Sequence, residues 1–259
     1  MHSPDVSRQA LFGQALERAA RLIPAERLVA VLSREQAHVS DAGLAERAGV
    51  HQVIQPAWRG SAAETFLPVL KIAAADPEAV VAVFPGSQLV DGEARFVSYV
   101  ARAVSAVIAR PELPIVLGAS PPGPATGCSW IEPGSSIEGL EAYAVRAVRR
   151  FVLRPSPAEA MALWDGDGLV HTGVLIAKAR TLIALGARHL PDVLETFEPL
   201  GVAFGTPEEA LLCEAVYEQM PYAALAHALF GHSAEAAVLP VAHVRMWVDA
   251  AAPVHALAS

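Results

Sequence analysis

The sequence predicts an α/β protein: a mostly parallel central sheet flanked by helices, with a smaller antiparallel section. Two observations predict it. Through the first half, short apolar runs alternate with amphipathic stretches, and the runs Ala79–Phe84 and Pro114–Ala119 are apolar enough for strands covered on both faces. In the second half the pattern changes. Tyr143–Leu153 alternates apolar and basic residues, as in a strand with one wet face. The antiparallel section is therefore expected around residues 128–177.

In chain order, Arg8–Ile23 repeats apolar residues at helical spacing, and Arg27–Ser33 reads as a strand. Glu35–Ala48 reads as a helix and His51–Gln55 as a short strand. Ser61–Ala75 is helical, with Ser61 and Glu64 at capping-box spacing and a kink expected at Pro68. Gly92–Arg110 is a helix, and Ser120–Gly127, rich in proline and glycine, is a loop. Two helix starts repeat one grammar: Ser156-Pro157-Ala158-Glu159 and Thr206-Pro207-Glu208-Glu209 each offer a cap, a proline at the first helical position and a glutamate at the third. Leu169–Ala177 and Ala236–Val241 complete the strands. With no internal repeat and no long linker, a single domain over residues 1–259 is expected.

A net charge of −8 without a basic run argues against a nucleic-acid partner. The two cysteines, Cys128 and Cys213, lack metal-ligand spacing and read as reduced thiols. Met1–Gln9 is polar and no apolar stretch is long enough to span a bilayer, so a cytoplasmic location and no membrane partner are expected. His227 and His232 are five residues apart, which is wrong for two ligands on one helical face, and read as surface residues.

Several segments, in order, resemble one family. Gln55-Pro56-Ala57-Trp58-Arg59-Gly60-Ser61-Ala62 is similar to the loop and helix start lining a nucleotide site. Val81–Pro85 is similar to a strand leading to a metal-binding turn, and Trp130-Ile131-Glu132-Pro133-Gly134 to a sugar-side strand. Phe151-Val152 with Pro155-Ser156-Pro157 is similar to a phenylalanine–glutamate–lysine–proline segment. Val238-Leu239-Pro240-Val241 followed by Trp247-Val248-Asp249 is similar to a closing strand with a metal aspartate. On these residues, over roughly 8–257, the chain resembles the sugar-1-phosphate nucleotidyltransferases, nearest to the mannose-1-phosphate guanylyltransferases. The resemblance implies a Rossmann-like sheet of the nucleotide-diphospho-sugar transferase type. It also implies Mg2+-dependent transfer from GTP to mannose 1-phosphate, giving GDP-mannose and pyrophosphate, with a nucleotide and a sugar phosphate as partners. By the same resemblance Gln55, Arg59, Gly60 and Ser61 face the nucleotide. Trp130, Glu132, Arg154 and His171 face the sugar phosphate. Asp249 is the second metal aspartate, and Ser87 stands at the position of the first metal carboxylate.

Departures from the family pattern set the chemistry in doubt. Gly86, Ser87 and Gln88 stand where the family has serine, aspartate and histidine, and a hydroxyl is a poor substitute for a carboxylate on Mg2+. Leu153 and Arg154 replace a glutamate–lysine pair, Val170 and His171 a tryptophan–asparagine pair, and Ser129 a glycine. Residues 2–7 contain no glycine and cannot supply the family's first strand and its glycine-rich phosphate loop. Either that element is encoded upstream or it has been lost. Both an active transferase and a non-catalytic relative that binds a nucleotide or sugar phosphate, or regulates a partner enzyme, are compatible with this. A slot left by the missing strand must be closed. Arg27–Ser33 and Ala79–Phe84 pair directly, or the chain rearranges around them, or a homo-oligomeric or partner chain covers the edge.

Overall fold

The structure, a computed structural model, describes residues 8–37, 49–231, 235–242, 244–248 and 255–258. Helix α1 (Arg8–Ala20) leads through a 3-10 turn into β1 (Leu28–Ser33), and β2 (His51–Gln55) pairs parallel to it. Then follow α2 (Ser61–Ala75), β3 (Val80–Pro85), β4 (Gln88–Asp91), α3 (Glu93–Ala109) and β5 (Ile115–Ala119). The second half contributes β6 (Trp130–Ser136), β7 (Arg146–Val152), α4 (Pro157–Asp165), β8 (Leu169–Lys178), α5 (Ala179–His189) and α6 (Pro191–Phe197). It closes with α7 (Glu209–Gln219), α8 (Leu225–Phe230), β9 (Ala237–Val241), β10 (Arg245–Val248) and β11 (His255–Ala258). Of the expected helix Glu35–Ala48, residues 35–37 are helical and the rest lies outside the described residues.

Nine strands form one sheet in the order β2-β1-β11-β3-β8-β5-β9-β7-β6, and β6 pairs back onto β8. The sheet is therefore mixed and partly closed, which corrects the expectation of a mostly parallel one. β2, β1, β3, β5 and β9 do share a direction, as the strand–helix alternation implied. Two strands interleave against them: β11 is antiparallel to both β1 and β3, and β8 is antiparallel to both β3 and β5. Periodicity reads burial rather than direction, and the apolar run of β8 is as buried as those of its neighbours.

The slot between β1 and β3 is filled from within the chain. Leu28, Val29 and Ala30 pair with Ala258, Leu257 and Ala256, while Ala82–Pro85 pair with the other edge of the same strand. Direct pairing of the two flanking strands, one of the closures expected, does not occur.

Alternate residues of the central strands serve two cores. Val29, Val31, Val81, Val83 and Leu175 pack with Phe66 of α2, Leu182 of α5 and Phe197 of α6. Leu28, Ala30, Leu32, Phe84, Val174 and Ile176 pack with Leu16 of α1 and Phe96 and Val100 of α3. Helices thus cover both faces, as a sheet of doubly apolar strands requires.

The helix starts test the local grammar. Ser156 caps α4 as expected, its hydroxyl accepting from the Glu159 N–H at 3.3 Å. Thr206 caps no helix. Its hydroxyl donates to the Ala203 carbonyl at 2.9 Å, and α7 starts three residues later at Glu209. Glu209 turns outward from that start, accepting from Lys71 at 2.6 Å and from the Gly205 N–H at 2.7 Å. Ser61 is likewise not a cap; Gly60 is, with φ +86°.

Candidate functional site

The carboxyl ends of β1 and β2 meet at the pair Ser33–Gln55, where the chain turns through Pro56–Arg59 into α2. A strap from the far end of the sequence closes over this corner. The Ala62 N–H donates to the Ala223 carbonyl (3.1 Å), the Ala223 N–H to the Arg59 carbonyl (3.3 Å), and the Leu225 N–H to the Ser61 hydroxyl (3.0 Å). Such contact requires glycine: a Cβ on Gly60 would lie 2.3 Å from the Ala223 oxygen. Gln55 is 2% exposed, and its side-chain oxygen accepts from the Tyr217 hydroxyl at 3.0 Å. Arg59 donates to the Tyr217 and Glu218 carbonyls at 3.0 and 3.5 Å, meeting orphan acceptors at the end of α7. The four residues assigned to the nucleotide therefore lie together, and all are engaged by the segment 217–225. That segment carries no sequence signal, because most of its contacts are backbone ones. Burial pushes the Tyr217 hydroxyl far above the usual range, so it stays a neutral donor.

On the sugar side β6 pairs with both β7 and β8, so Trp130 stands opposite Val152 and Val170 and the His171 N–H donates to the Ser129 carbonyl at 2.8 Å, while the four assigned side chains meet different partners. Trp130 is fully buried and donates through its indole N–H to the Ala125 carbonyl at 2.7 Å, pinning the loop 120–127. Glu132 bridges Arg149 (2.8 Å) and Arg150 (3.3 Å) across the β6–β7 pair. His171 lies edge-to-face with Phe151 at 5.3 Å, and Phe151 meets Phe230 of α8 at 5.8 Å. α8 follows directly on the strap, so it connects the His171 neighbourhood with the nucleotide corner. Arg154 is exposed, and none of the described residues engages its guanidinium in a hydrogen bond or ion pair. Its backbone sits at φ +45° immediately before Pro155, where a β-region conformation is ordinary.

The β3–β4 turn is the position implied for a divalent cation. Ser87 is 4% exposed and Gln88 fully buried. The Gln88 side-chain amide donates to the Thr172 carbonyl at 2.8 Å, and the Gln88 backbone carbonyl accepts from Arg18 at 3.3 Å. β10 runs antiparallel to β4 with Val248 opposite Gln88, which brings the closing segment to this turn; Asp249 itself lies outside the described residues. No cluster of three metal-ligating side chains exists among the described residues. A neutral hydroxyl and an amide already tied to the sheet do not fit Mg2+, whose usual protein ligands are carboxylates.

A cavity of about 920 Å3 opens at the other end of the sheet, near Val29, His51, Lys71, Ile72, Val80 and Val104, and touches none of the residues assigned above. No described helix is long and apolar enough to cross a membrane. Cys128 and Cys213 carry no disulfide, and burial raises both thiols, Cys213 to about 11 with help from Glu214 and Glu209.

No protein-family model matches the chain, and no curated protein matches it in sequence. Solved structures do. Mannose-1-phosphate geranyltransferase from Thermus thermophilus is similar with a TM-score of 0.77 and 26% identity, over 93% of this chain and 66% of that one. The chain therefore spans just under two thirds of that protein. Mannose-6-phosphate isomerase from Helicobacter pylori is similar at TM-score 0.74 and 16% identity, over 91% and 90% of the two chains. UTP-bound UGPase from Acinetobacter baumannii is similar at TM-score 0.53 and 14% identity, over 92% and 77%.

Proposed function

We propose that this chain, which shares its fold with mannose-1-phosphate geranyltransferase and with UGPase and resembles the sugar-1-phosphate nucleotidyltransferases in sequence, binds a nucleotide or sugar phosphate without efficient transfer. In-line nucleotidyl transfer requires two anions to be aligned and the developing charge to be neutralised. Arg154 supplies a cation for one phosphate. The observation that carries the reading is the β3–β4 turn, where uncharged Ser87 and the tethered Gln88 replace a metal-holding carboxylate. The α2 start adds to it, since the Ala62 N–H that could cradle a phosphate is already given to Ala223.

Mannose 1-phosphate and GDP-mannose are the first ligands to try, because the Thermus relative carries mannose-1-phosphate in its name. Guanine rather than another base rests on the sequence resemblance. The decisive experiment measures pyrophosphate release from GTP and mannose 1-phosphate with Mg2+, alongside calorimetric binding of GDP-mannose and of mannose 1-phosphate. The expected result is binding of a phosphate ligand with turnover roughly 10²–10³-fold or more below a working enzyme, the scale of removing one preorganised charge-stabilising element. Brisk turnover would establish the alternative, a Mg2+-dependent mannose-1-phosphate guanylyltransferase. Failure of every phosphate ligand to bind would end the reading.

A further inference from the structure

Behind the β3–β4 turn lies a charged group that the sequence does not single out. Arg18, on α1, is 1% exposed. Its guanidinium grips both Glu93 carboxylate oxygens, with the shortest contact at 2.8 Å, and donates to the Gln88 carbonyl at 3.3 Å. Phe96 lies beneath it, 5.5 Å from ring centroid to Cζ. Glu93 opens α3, so one side chain ties three elements, α1, the turn and the start of α3, around a single buried charge. On the other side of the turn the Gln88 amide reaches Thr172 of β8. Gly173, at φ +79°, lets β8 come this close, since a Cβ there would stand 2.5 Å from Pro85 Cγ.

The turn is thus fixed from two directions by protein groups. Arg18 already occupies the Gln88 backbone carbonyl, and its pair with Glu93 leaves no net negative charge there to draw a divalent cation. Glu93, the nearby carboxylate, has both oxygens committed to Arg18. Two buried polar atoms, Nη1 of Arg18 and Oε1 of Gln88, have no partner among the described residues.

We infer that the β3–β4 turn is a cation-free joint: Arg18, acting as a positioning residue through Gln88, holds the turn that a metal would otherwise organise, and the phosphate ligand bound beside it is held without a divalent cation. The second half of this inference rests on the proposed function; the first half does not.

The test uses the full chain. Mn2+ titration followed by electron paramagnetic resonance is expected to show no site tighter than about 1 mM. Mannose 1-phosphate or GDP-mannose, whichever binds, is expected to show affinities within about twofold in Mg2+ and in EDTA. Arg18→Met should lower Tm by about 5–10 °C and remove hydrogen-exchange protection across residues 86–91. At a temperature where that variant keeps its native circular dichroism, its affinity for the ligand should fall about tenfold, with Arg18→Lys intermediate; a role in stability alone would leave that affinity unchanged. Micromolar Mn2+ binding by the natural chain, or tenfold tighter ligand binding with Mg2+, overturns the inference. So does an Arg18→Met variant with an unaltered turn. If no phosphate ligand binds at all, the proposed function fails, while Mn2+ silence and loss of turn protection in Arg18→Met still support the joint.

Discussion

Substituting Gly60 with alanine tests whether the strap over α2 is a structural clamp. The backbone there has φ +86° and ψ 168°, a region essentially closed to residues with a Cβ, at a strain of ~1–3 kcal/mol. The new methyl group would sit 2.3 Å from the Ala223 oxygen and 3.0 Å from its carbonyl carbon. These are backbone atoms, so a side-chain rotation cannot relieve the overlap. Retreat of residue 223 would break the three bonds that join 59–62 to 223–225, each contributing ~0.5–1.5 kcal/mol. If half of that contribution is regained by water, the total loss is roughly 2–5 kcal/mol. In a chain of this size that corresponds to a fall in Tm of about 4–10 °C. Urea unfolding of Gly60→Ala beside Gly123→Ala is the assay. A Cβ on Gly123 meets nothing within 4 Å, so that control should stay within ~0.5 kcal/mol of the natural chain. A Gly60→Ala loss below 1 kcal/mol, or an equal loss in the control, would refute the clamp.

Other perturbations should separate structure from binding. Arg154→Gly relieves a positive φ and should hold or raise stability by up to ~1 kcal/mol while weakening a phosphate ligand; calorimetry and thermal melts read the two effects apart. Trp130→Ala should cost ~3–5 kcal/mol and expose the loop 120–127 to proteolysis, because it empties a fully buried site and releases the Ala125 carbonyl; Trp130→Phe should cost about 1–2 kcal/mol. Cys213 is raised from 9.0 to about 11 by burial and by Glu214 and Glu209, so the folded chain holds this proton after the unfolded chain has lost it. Its contribution to stability is therefore complete below pH 9 and lost as pH rises from 9 to about 11, and Cys213→Ala should flatten the decline measured by urea unfolding over that window.

The sequence made some of this legible and hid the rest for identifiable reasons. The apolar runs at Leu28–Ser33, Val80–Pro85 and Ile115–Ala119 announced central strands, because a strand covered on both faces has no polar side. Direction was not legible: β8 and β11 run against their neighbours, and pattern carries no sign of it. Ser156 caps the helix that starts at Pro157, whereas the next helix after Thr206 starts only at Glu209, out of reach of the capping position, and the Thr206 hydroxyl donates to the Ala203 carbonyl instead. In the site, Gln55 through Ser61 came together because they are contiguous. Trp130, His171 and Arg154 were drawn by resemblance into one pocket, and the structure gives each a different setting: a buried anchor, an aromatic contact and an exposed cation. Arg18 was invisible because a single arginine on an amphipathic helix looks like any solvated charge until its partners, Gln88 and Glu93, are known.

The central position of β11 has a kinetic consequence. Leu28 pairs with Ala258, nearly the whole chain away, and β3 pairs with the other edge of the same short strand. During synthesis the β1–β2 pair and the β3–β8 pair can each form early, but nothing joins them across the sheet until residues 255–258 emerge. Two half-sheets with facing open edges must therefore wait for the ribosome, and the closing event carries a long loop with it. Stalled nascent chains ending before β11 should stay more protease-sensitive and more dependent on chaperones than chains released just after it. Refolding from urea should show a slow last phase in which protection of Leu28–Ala30 and Ala82–Phe84 arrives together.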